Sequence, residues 1–361
     1  ARSYSIDGHT FDIGGHYLHG DHALLNSLGI DLTKFTEHER KAQVLLSGKL
    51  YPYPIQNSHY IADPNVLPLD GVNTGSLREY FVNSFGALAW DFFIPYNEKV
   101  FRCSTNEMVP FHYTSLRNPK GKGYNSNFLY SNTGIGSQEL VNQLTSGKEI
   151  RLHHKLVAID KTSKIAIVDI DGKLVKYTYN KLIYTGSLSL LDHLLGDPAL
   201  KASIECKGVN MFVINVVVGS IESQFKDSHW IYLPDLEIPF FRIGFYNRVN
   251  PSDDSSERLY LEFSFSGDFS EAIITNEKIE YYLSKIGVIK AGSNSVISFS
   301  VIPVNNAYPI ITQENFSKQL EEIIGQLEQY QIYLTGRYAL WKWSGMAETM
   351  GDAKELAERL S

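Results

Sequence analysis

"GHTFDIGGHYLHGDH", Gly8 to His22, decides how this chain is read. It carries four histidines (His9, His16, His19, His22), two aspartates (Asp12, Asp21) and the adjacent pair Gly14-Gly15. Such a stretch serves as a metal site, as a phosphate cradle, or as the floor of a cofactor pocket. Zinc would need His16, His19 and His22 on one face, and their three-residue spacing gives that only on a helix. Two neighbouring glycines after an extended lead-in argue against a helix through His16, and no cysteine lies nearby, so no metal is expected. The glycine pair lets the backbone approach a flat or anionic ligand closely, with His16 next in line to face it. The plain alternative is a loop with half-exposed histidines.

The 361 residues exceed the length at which one hydrophobic core usually stops growing, so two domains or one domain with a large insertion are expected. With 43% hydrophobic and 20% charged residues, the composition is that of an ordinary globular protein. No window of about 18 apolar residues occurs, which argues against a membrane span. A net charge of −7 disfavours nucleic acid or an anionic membrane as partner. Cys103 and Cys206 alone build neither a disulfide framework nor a cysteine-rich metal site. A cytoplasmic location is expected, and no charged-then-apolar leader is visible at the start.

Periodicity places hairpins at Asp7-Gly8, Ser47-Gly48 and Asp171-Gly172. Helical spacing runs through "TGSLREYFVNSFGALAWDFFIPYNEKVF", interrupted at Pro95, and recurs near "SLLDHLLG", "NEKIEYYLSKI", "SKQLEEIIGQLEQY" and "DAKELAERLS". Strands are read in "KLVAID", "IAIVDID", "KLIYTG", "NMFVINVVVGS", "FFRIGFYN", "RLYLEFSFS" and "QIYLTGR". Interleaved strands and helices without a fixed repeat predict an α/β or α+β fold.

Three further stretches bear on chemistry. "NTGIGSQEL" has the turn and helix of a phosphate loop. Glu139 stands where a dinucleotide fingerprint needs its third glycine, so a turn capped by Ser137 is preferred. "RNPKGKG" offers Arg117, Lys120 and Lys122, read as a solvated loop before a phosphate contact. In "YLTGRYALWKWSGMAETM", a strand ends at Gly336, and Arg337, Tyr338, Trp341 and Trp343 gather cationic and aromatic groups suited to a planar or anionic ligand. A buried aromatic corner is the competing reading.

"FDIGGH", "YPYPIQN", "FGALAWDFFIPYNEKVF", "KLIYTG", "PFFRIGFYN" and "GRYALWKW" together resemble, in order and spacing, the UDP-galactopyranose mutases. More widely they resemble the protoporphyrinogen oxidase and amine oxidase superfamily, over nearly the whole chain. The resemblance implies FAD as cofactor and makes "FDIGGH" the floor of its pocket. It implies an FAD-binding domain interleaved over 1–60, 148–200 and 328–361, a helical insertion over 61–147 and a strand-rich substrate domain over 201–327. Members of that group begin with a strand, a Gly-rich turn and a helix that hold the ADP half of FAD. No GxGxxG occurs here, so the residues as given are expected to hold FAD weakly.

The resemblance further places Gly14, Gly15 and His16 at the flavin and Val157 near the adenine. Gly336, Arg337 and Met346 fall at the flavin end, with His16 and Arg337 as the catalytic candidates. Arg242 and Tyr308 match residues directed at a substrate diphosphate, with Trp343 beside them. A guanidinium suits that task because its fork bonds two phosphate oxygens at once; a surface-paired strand arginine is the alternative. Three departures stand out: Leu129 where the mutases have arginine, Trp343 where they have tyrosine, and "SGMAETM" where they have "NQDHS". The expected activity is that of a flavin-dependent mutase acting on a nucleotide sugar or similar small molecule. An amine or porphyrinogen oxidoreductase is the alternative, and an inactive relative a third.

Overall fold

Turn chemistry sets the opening hairpin. Asp7 and Gly8 both have positive φ, 50° and 79°, as a two-residue type I′ turn requires, and they join β1 (Ser3–Ile6) to β2 (His9–Asp12). After α1 (His22–Ser27) and β3 (Phe35–Glu39), the same device at Ser47 and Gly48 joins β4 (Ala42–Leu46) to β5 (Lys49–Pro52). Ser76 and Glu79 form a capping box that starts α2 (Leu77–Phe85). A wide helical turn over Ala89–Phe93 leads directly into α3 (Ile94–Phe101). Pro95 therefore lies in the first turn of α3, directly after that wide turn. The aromatic run continues as helix where an interruption is expected from its sequence.

Next come β6 (Asn127–Ser131), α4 (Gln138–Thr145), β7 (His154–Asp160), β8 (Ile165–Ile170), β9 (Lys173–Thr178), β10 (Leu182–Tyr184) and α5 (Leu191–Leu195). The chain continues through β11 (Lys207–Val218), β12 (Trp230–Tyr232), β13 (Arg242–Phe245), β14 (Glu257–Phe265), α6 (Asn276–Ile286) and β15 (Val296–Ile310). It ends with α7 (Phe316–Glu328), β16 (Ile332–Leu334) and α8 (Met346–Leu360). The last helix starts earlier than its apolar spacing suggests, because the Glu348 carboxylate accepts the Gly345 N–H at 2.7 Å and closes the first turn.

The computed structural model describes residues 2–20, 22–58, 75–110, 127–197, 205–251, 255–266 and 274–361. Arg117, Lys120 and Lys122 lie outside them. The chain divides into unit 1 (Ala1–His19, Asn26–Leu144, Gly208–Tyr308) and unit 2 (Gly20–Leu25, Thr145–Lys207, Pro309–Ser361). Most of the opening segment and of the aromatic helical stretch thus falls with the strand-rich stretch in unit 1. Among the described residues no helix is long and apolar enough to cross a membrane.

Unit 1 is built on a seven-stranded sheet of order β15-β11-β14-β13-β12-β4-β5, with β12 and β4 parallel. Strand register gives this sheet two unlike faces. Ile214, Leu261, Ile243 and Ile231 stand in one cross-strand row and join Ile279, Leu283 and Ile286 of α6 in the main apolar core. Those three helix residues recur at the i, i+4, i+7 spacing of an amphipathic face. The helix is capped by Thr275 and ends at Gly287 in the left-handed region, φ 83°. The opposite face carries Asn215, Tyr260, Gly244 and Trp230 in one row, and Val213, Glu262, Arg242 and Tyr232 in the next.

Unit 2 contains the meander β7-β8-β9 and the parallel pair β10-β16. Val157 sits where the register between β7 and β8 shifts, between Leu156 and Ala158. It is the extra residue of a bulge, a device that re-aims a side chain.

Candidate cofactor and substrate site

Arg242 and Glu262 face each other across β13 and β14. Arg242 Nε donates to Glu262 Oε2 at 2.5 Å and Nη2 to Oε1 at 2.6 Å, with side-chain exposures of 20% and 3%. Burial works against the guanidinium charge, but the facing carboxylate outweighs it and holds Arg242 well above its ordinary value. Tyr308 of β15 adds to the same field, its ring edge-on to Phe101 and Phe241 at 6.3 and 6.5 Å. The arginine read as a diphosphate ligand is thus paired, and on the buried face of the sheet instead of the surface.

Gly244 is required by its neighbour. A Cβ there would stand 2.0 Å from Cε1 and Cζ of Tyr260, whose ring covers the glycine from the facing strand. Gly244→Ala should lower stability by about 3 kcal/mol, the upper end for an overpacked core, with an earlier midpoint in urea and an unchanged m-value as the check.

The opening loop lies on this face. Asp12 is fully buried and its Oδ1 accepts from Ser3 Oγ (2.5 Å), Ser137 N (3.1 Å) and Ser137 Oγ (3.0 Å), while Oδ2 accepts from Tyr130 OH (2.8 Å). Burial raises its pKa, and these hydrogen bonds offset only part of that rise. Tyr246 OH donates to the Asp12 carbonyl at 2.9 Å. Burial also keeps the phenols of Tyr17, Tyr246 and Tyr260 well above their ordinary values. They remain protonated at neutral pH.

Asp12 accounts for the phosphate-loop look of "NTGIGSQEL". Ser137 N, at the entrance to α4, points at Asp12, and Gln138 N donates to Ser3 Oγ at 3.0 Å. The helix start is therefore filled by the chain's own carboxylate, a favourable place for negative charge. Gly136 (φ 67°) has no room for a side chain, since a Cβ would lie 2.6 Å from both Asp12 Oδ1 and Ser3 Oγ. Ser137 acts here as a donor to Asp12.

Gly14 and Gly15 are equally hemmed in. A Cβ on Gly14 (φ 77°) would stand 2.5 Å from Glu262 Oε1, and one on Gly15 2.4 Å from Tyr260 OH. Within unit 1 the pair brings the loop down onto the Arg242–Glu262–Tyr260 group. His16 N donates to Gly14 O at 3.0 Å, tightening the bend, and the His16 side chain is half-buried. His19 Nδ1 lies 3.3 Å from Asn127 O, and His22 begins α1. Among the described residues no group of three or more histidines, cysteines or carboxylates has metal-holding geometry. Leu129 is buried in β6 and bridges Leu18 through two backbone hydrogen bonds of 2.9 and 3.0 Å.

In unit 2, β10 and β16 run parallel with Tyr184 opposite Leu334, and each is followed by Thr-Gly: Thr185-Gly186 and Thr335-Gly336. Ligands of open α/β sheets bind beyond the carboxyl ends of such strands. Gly336 (φ 84°) is buried, yet a Cβ there would meet only Thr349 Cγ2, at 3.8 Å. The Thr335 hydroxyl and the Trp341 indole N–H are buried without a hydrogen-bond partner. Room at a glycine and unpaired polar groups at paired parallel strand ends fit a polar, elongated cofactor. Arg337 Nη1 reaches Ser344 O at 3.4 Å, its guanidinium 6.0 and 5.7 Å from the rings of Tyr338 and Trp343. The Trp343 indole N–H is taken by Pro309 O at 3.1 Å. Met346 is half-buried as the first residue of α8, and Val157 is the half-buried bulge residue of β7.

The sequence reading named Gly14, Gly15, His16, Arg242 and Tyr308, all in unit 1, and Val157, Gly336, Arg337, Trp343 and Met346, all in unit 2. The sequence assigns no role to Asp12, Gly244, Tyr260, Glu262 or Thr335. Pairing "FFRIG" against "LYLEF" as facing strands is the signal that finds three of them.

In comparison with solved structures, the chain is similar to a reduced UDP-galactopyranose mutase: 18% identity, TM-score 0.81, covering 100% of this chain and 86% of that one. A protein described as a putative protoporphyrinogen oxidase, from Exiguobacterium sp. 255-15, matches at 15% identity and TM-score 0.73, over 99% and 89% of the two chains. Cyclohexylamine oxidase from Brevibacterium oxydans IH-35A matches at 12% and 0.62, over 97% and 88%. These likenesses establish a shared fold. Residues 1–252 match the family described as flavin containing amine oxidoreductase. The chain belongs to that family, and is a flavoenzyme with FAD as its cofactor.

Proposed function

We propose that this flavoenzyme acts on a nucleotide sugar in the manner of a UDP-galactopyranose mutase, with Arg242 and Tyr308 receiving the diphosphate. The carrying observation is that Glu262 engages only Nε and Nη2 of Arg242 and fixes the plane of its guanidinium. The Nη1 donors lie outside that pair and suit a phosphate oxygen. Tyr308, with its ring edge-on to Phe101 and Phe241, is the second residue we place at the diphosphate. FAD supplies, when bound, the reactive centre. Gly336, Arg337, Met346 and Val157 are our proposed cofactor residues of unit 2, and Gly14, Gly15 and His16 those of unit 1, with His16 and Arg337 also the candidates for direct action on the reacting groups. Of the interleaved FAD-binding stretches 1–60, 148–200 and 328–361, the last two are proposed to carry the unit 2 part of the site.

A second reading, an oxidoreductase removing hydride from a reduced carbon such as an amine, is favoured by Trp343 and Leu129. Neither offers a polar group to a phosphate: the indole N–H is bonded to Pro309, and Leu129 is buried in its strand. The two readings separate by redox demand. Protein carrying FAD is assayed with UDP-galactopyranose under dithionite, and in parallel for oxygen uptake with amines. The proposal expects isomerisation only with reduced flavin, no stoichiometric use of reductant, and at least tenfold slower turnover in Arg242→Met. Oxygen uptake with amines and no isomerisation would replace it by the second reading.

A further inference from the structure

We propose that Thr335 is a cofactor-binding residue whose hydroxyl bonds an oxygen of the ribityl or diphosphate chain of FAD. This rests on the reading that unit 2 holds FAD beyond the carboxyl ends of β10 and β16. The Thr335 backbone is already satisfied, its N–H donating to Tyr184 O at 3.2 Å and so extending the parallel pair by one residue. Its hydroxyl is not: Oγ1 is sealed from water and has no hydrogen-bond partner.

A buried hydroxyl without a partner is costly, and nearly all such groups in folded proteins are paired. Valine has the same shape and would fill this strand end without that cost. The hydroxyl is therefore explained by a partner that the polypeptide does not supply. A second observation in the same loop agrees: Trp341, 1% exposed, has its indole N–H equally unpaired. Gly336 follows Thr335 with a left-handed backbone, and a Cβ there would meet only Thr349 Cγ2, at 3.8 Å. An orphaned donor and a bare backbone at the end of a parallel strand, with a second orphaned donor in the loop that follows, suit a chain of hydroxyl and phosphate oxygens. An apolar ligand would leave both donors unpaired.

The test separates this role from a structural one by its sign. FAD affinity of the full chain is measured by quenching of flavin fluorescence, and the melting temperature of the FAD-free protein is measured beside it. Thr335→Val should weaken FAD binding about tenfold, the effect of losing one net hydrogen bond, and leave the FAD-free melting temperature unchanged or raised. Thr335→Ser should restore affinity to within about threefold. Unchanged affinity in Thr335→Val overturns the proposal. So does a lower FAD-free melting temperature, since the hydroxyl would then have a partner in the protein. Arg337→Met reports on the site itself. If it weakens FAD while Thr335→Val does not, only the role of Thr335 falls; if neither variant changes affinity, the unit 2 site falls with it.

Discussion

Replacing Glu262 with alanine should lower the free energy of unfolding by about 3–5 kcal/mol, the range found when one partner of a buried ion pair is removed. The Glu262 side chain is 3% exposed and holds Arg242 by two hydrogen bonds, so the variant leaves a guanidinium on a buried face without its counter-charge. Arg242→Ala should cost a similar amount for the complementary reason. Taking both out together as Arg242→Met with Glu262→Leu should restore most of the loss, because two apolar side chains need no mutual compensation. Urea unfolding of wild type, Arg242→Met, Glu262→Leu and the double variant gives the cycle directly. Equal and additive losses would mean that each residue is held by other groups and that the pair is not the unit. The variants also divide stability from function. Glu262→Gln keeps the shape of the side chain and one acceptor, so it should be the mildest at this position, and its sugar-nucleotide affinity then reports on the freedom of Arg242.

How much of this was legible in the sequence depended on the range of the interaction. Asp7-Gly8, Ser47-Gly48 and Asp171-Gly172 were readable as hairpins because positive φ at two adjacent positions is a local demand that few residues meet. The core face of α6 was readable from its own spacing. Gly14-Gly15 was readable as a place of close approach, but not what approaches: the backbone comes down on Glu262 and Tyr260, residues nearly 250 positions later. Asp12 was invisible for the same reason. Its partners Ser3, Tyr130 and Ser137 lie 9, 118 and 125 residues away, and nothing in "FDIGGH" itself distinguishes a buried aspartate from a solvated one. The resemblance to a known family supplied residues that face ligands and passed over those that hold them in place. Glu262 and Gly244 belong to the second kind, and they follow only from cross-strand register, which sets Arg242 against Glu262 and Gly244 against Tyr260.

The unfolding free energy of the wild type relative to Lys99→Met should climb as the pH is raised from 7 towards 10.5. Lys99, on α3, is buried, with Nζ donating to the backbone carbonyls of Leu233 and Asp235 at 2.7 Å each. Burial pulls its pKa down from 10.5 to about 7, with the Asp235 charge opposing and the Arg102 charge reinforcing. A neutral amine still has two N–H donors for two carbonyls, so losing the proton costs no hydrogen bond. Below pH 7 the amine is charged in both folded and unfolded chains, and the folded state carries the full cost of burying it. Between 7 and 10.5 the unfolded chain still binds the proton and the folded one does not, so stability rises with pH. Linkage gives about 1.4 kcal/mol for each pH unit in that window, a rise on the order of 5 kcal/mol for this one group. The observable is the difference in unfolding free energy between wild type and Lys99→Met, followed by urea titration from pH 6 to 10, in which other titrating groups cancel. A difference that stays flat across the window would mean that the two carbonyls and Asp235 keep Lys99 charged in the folded protein.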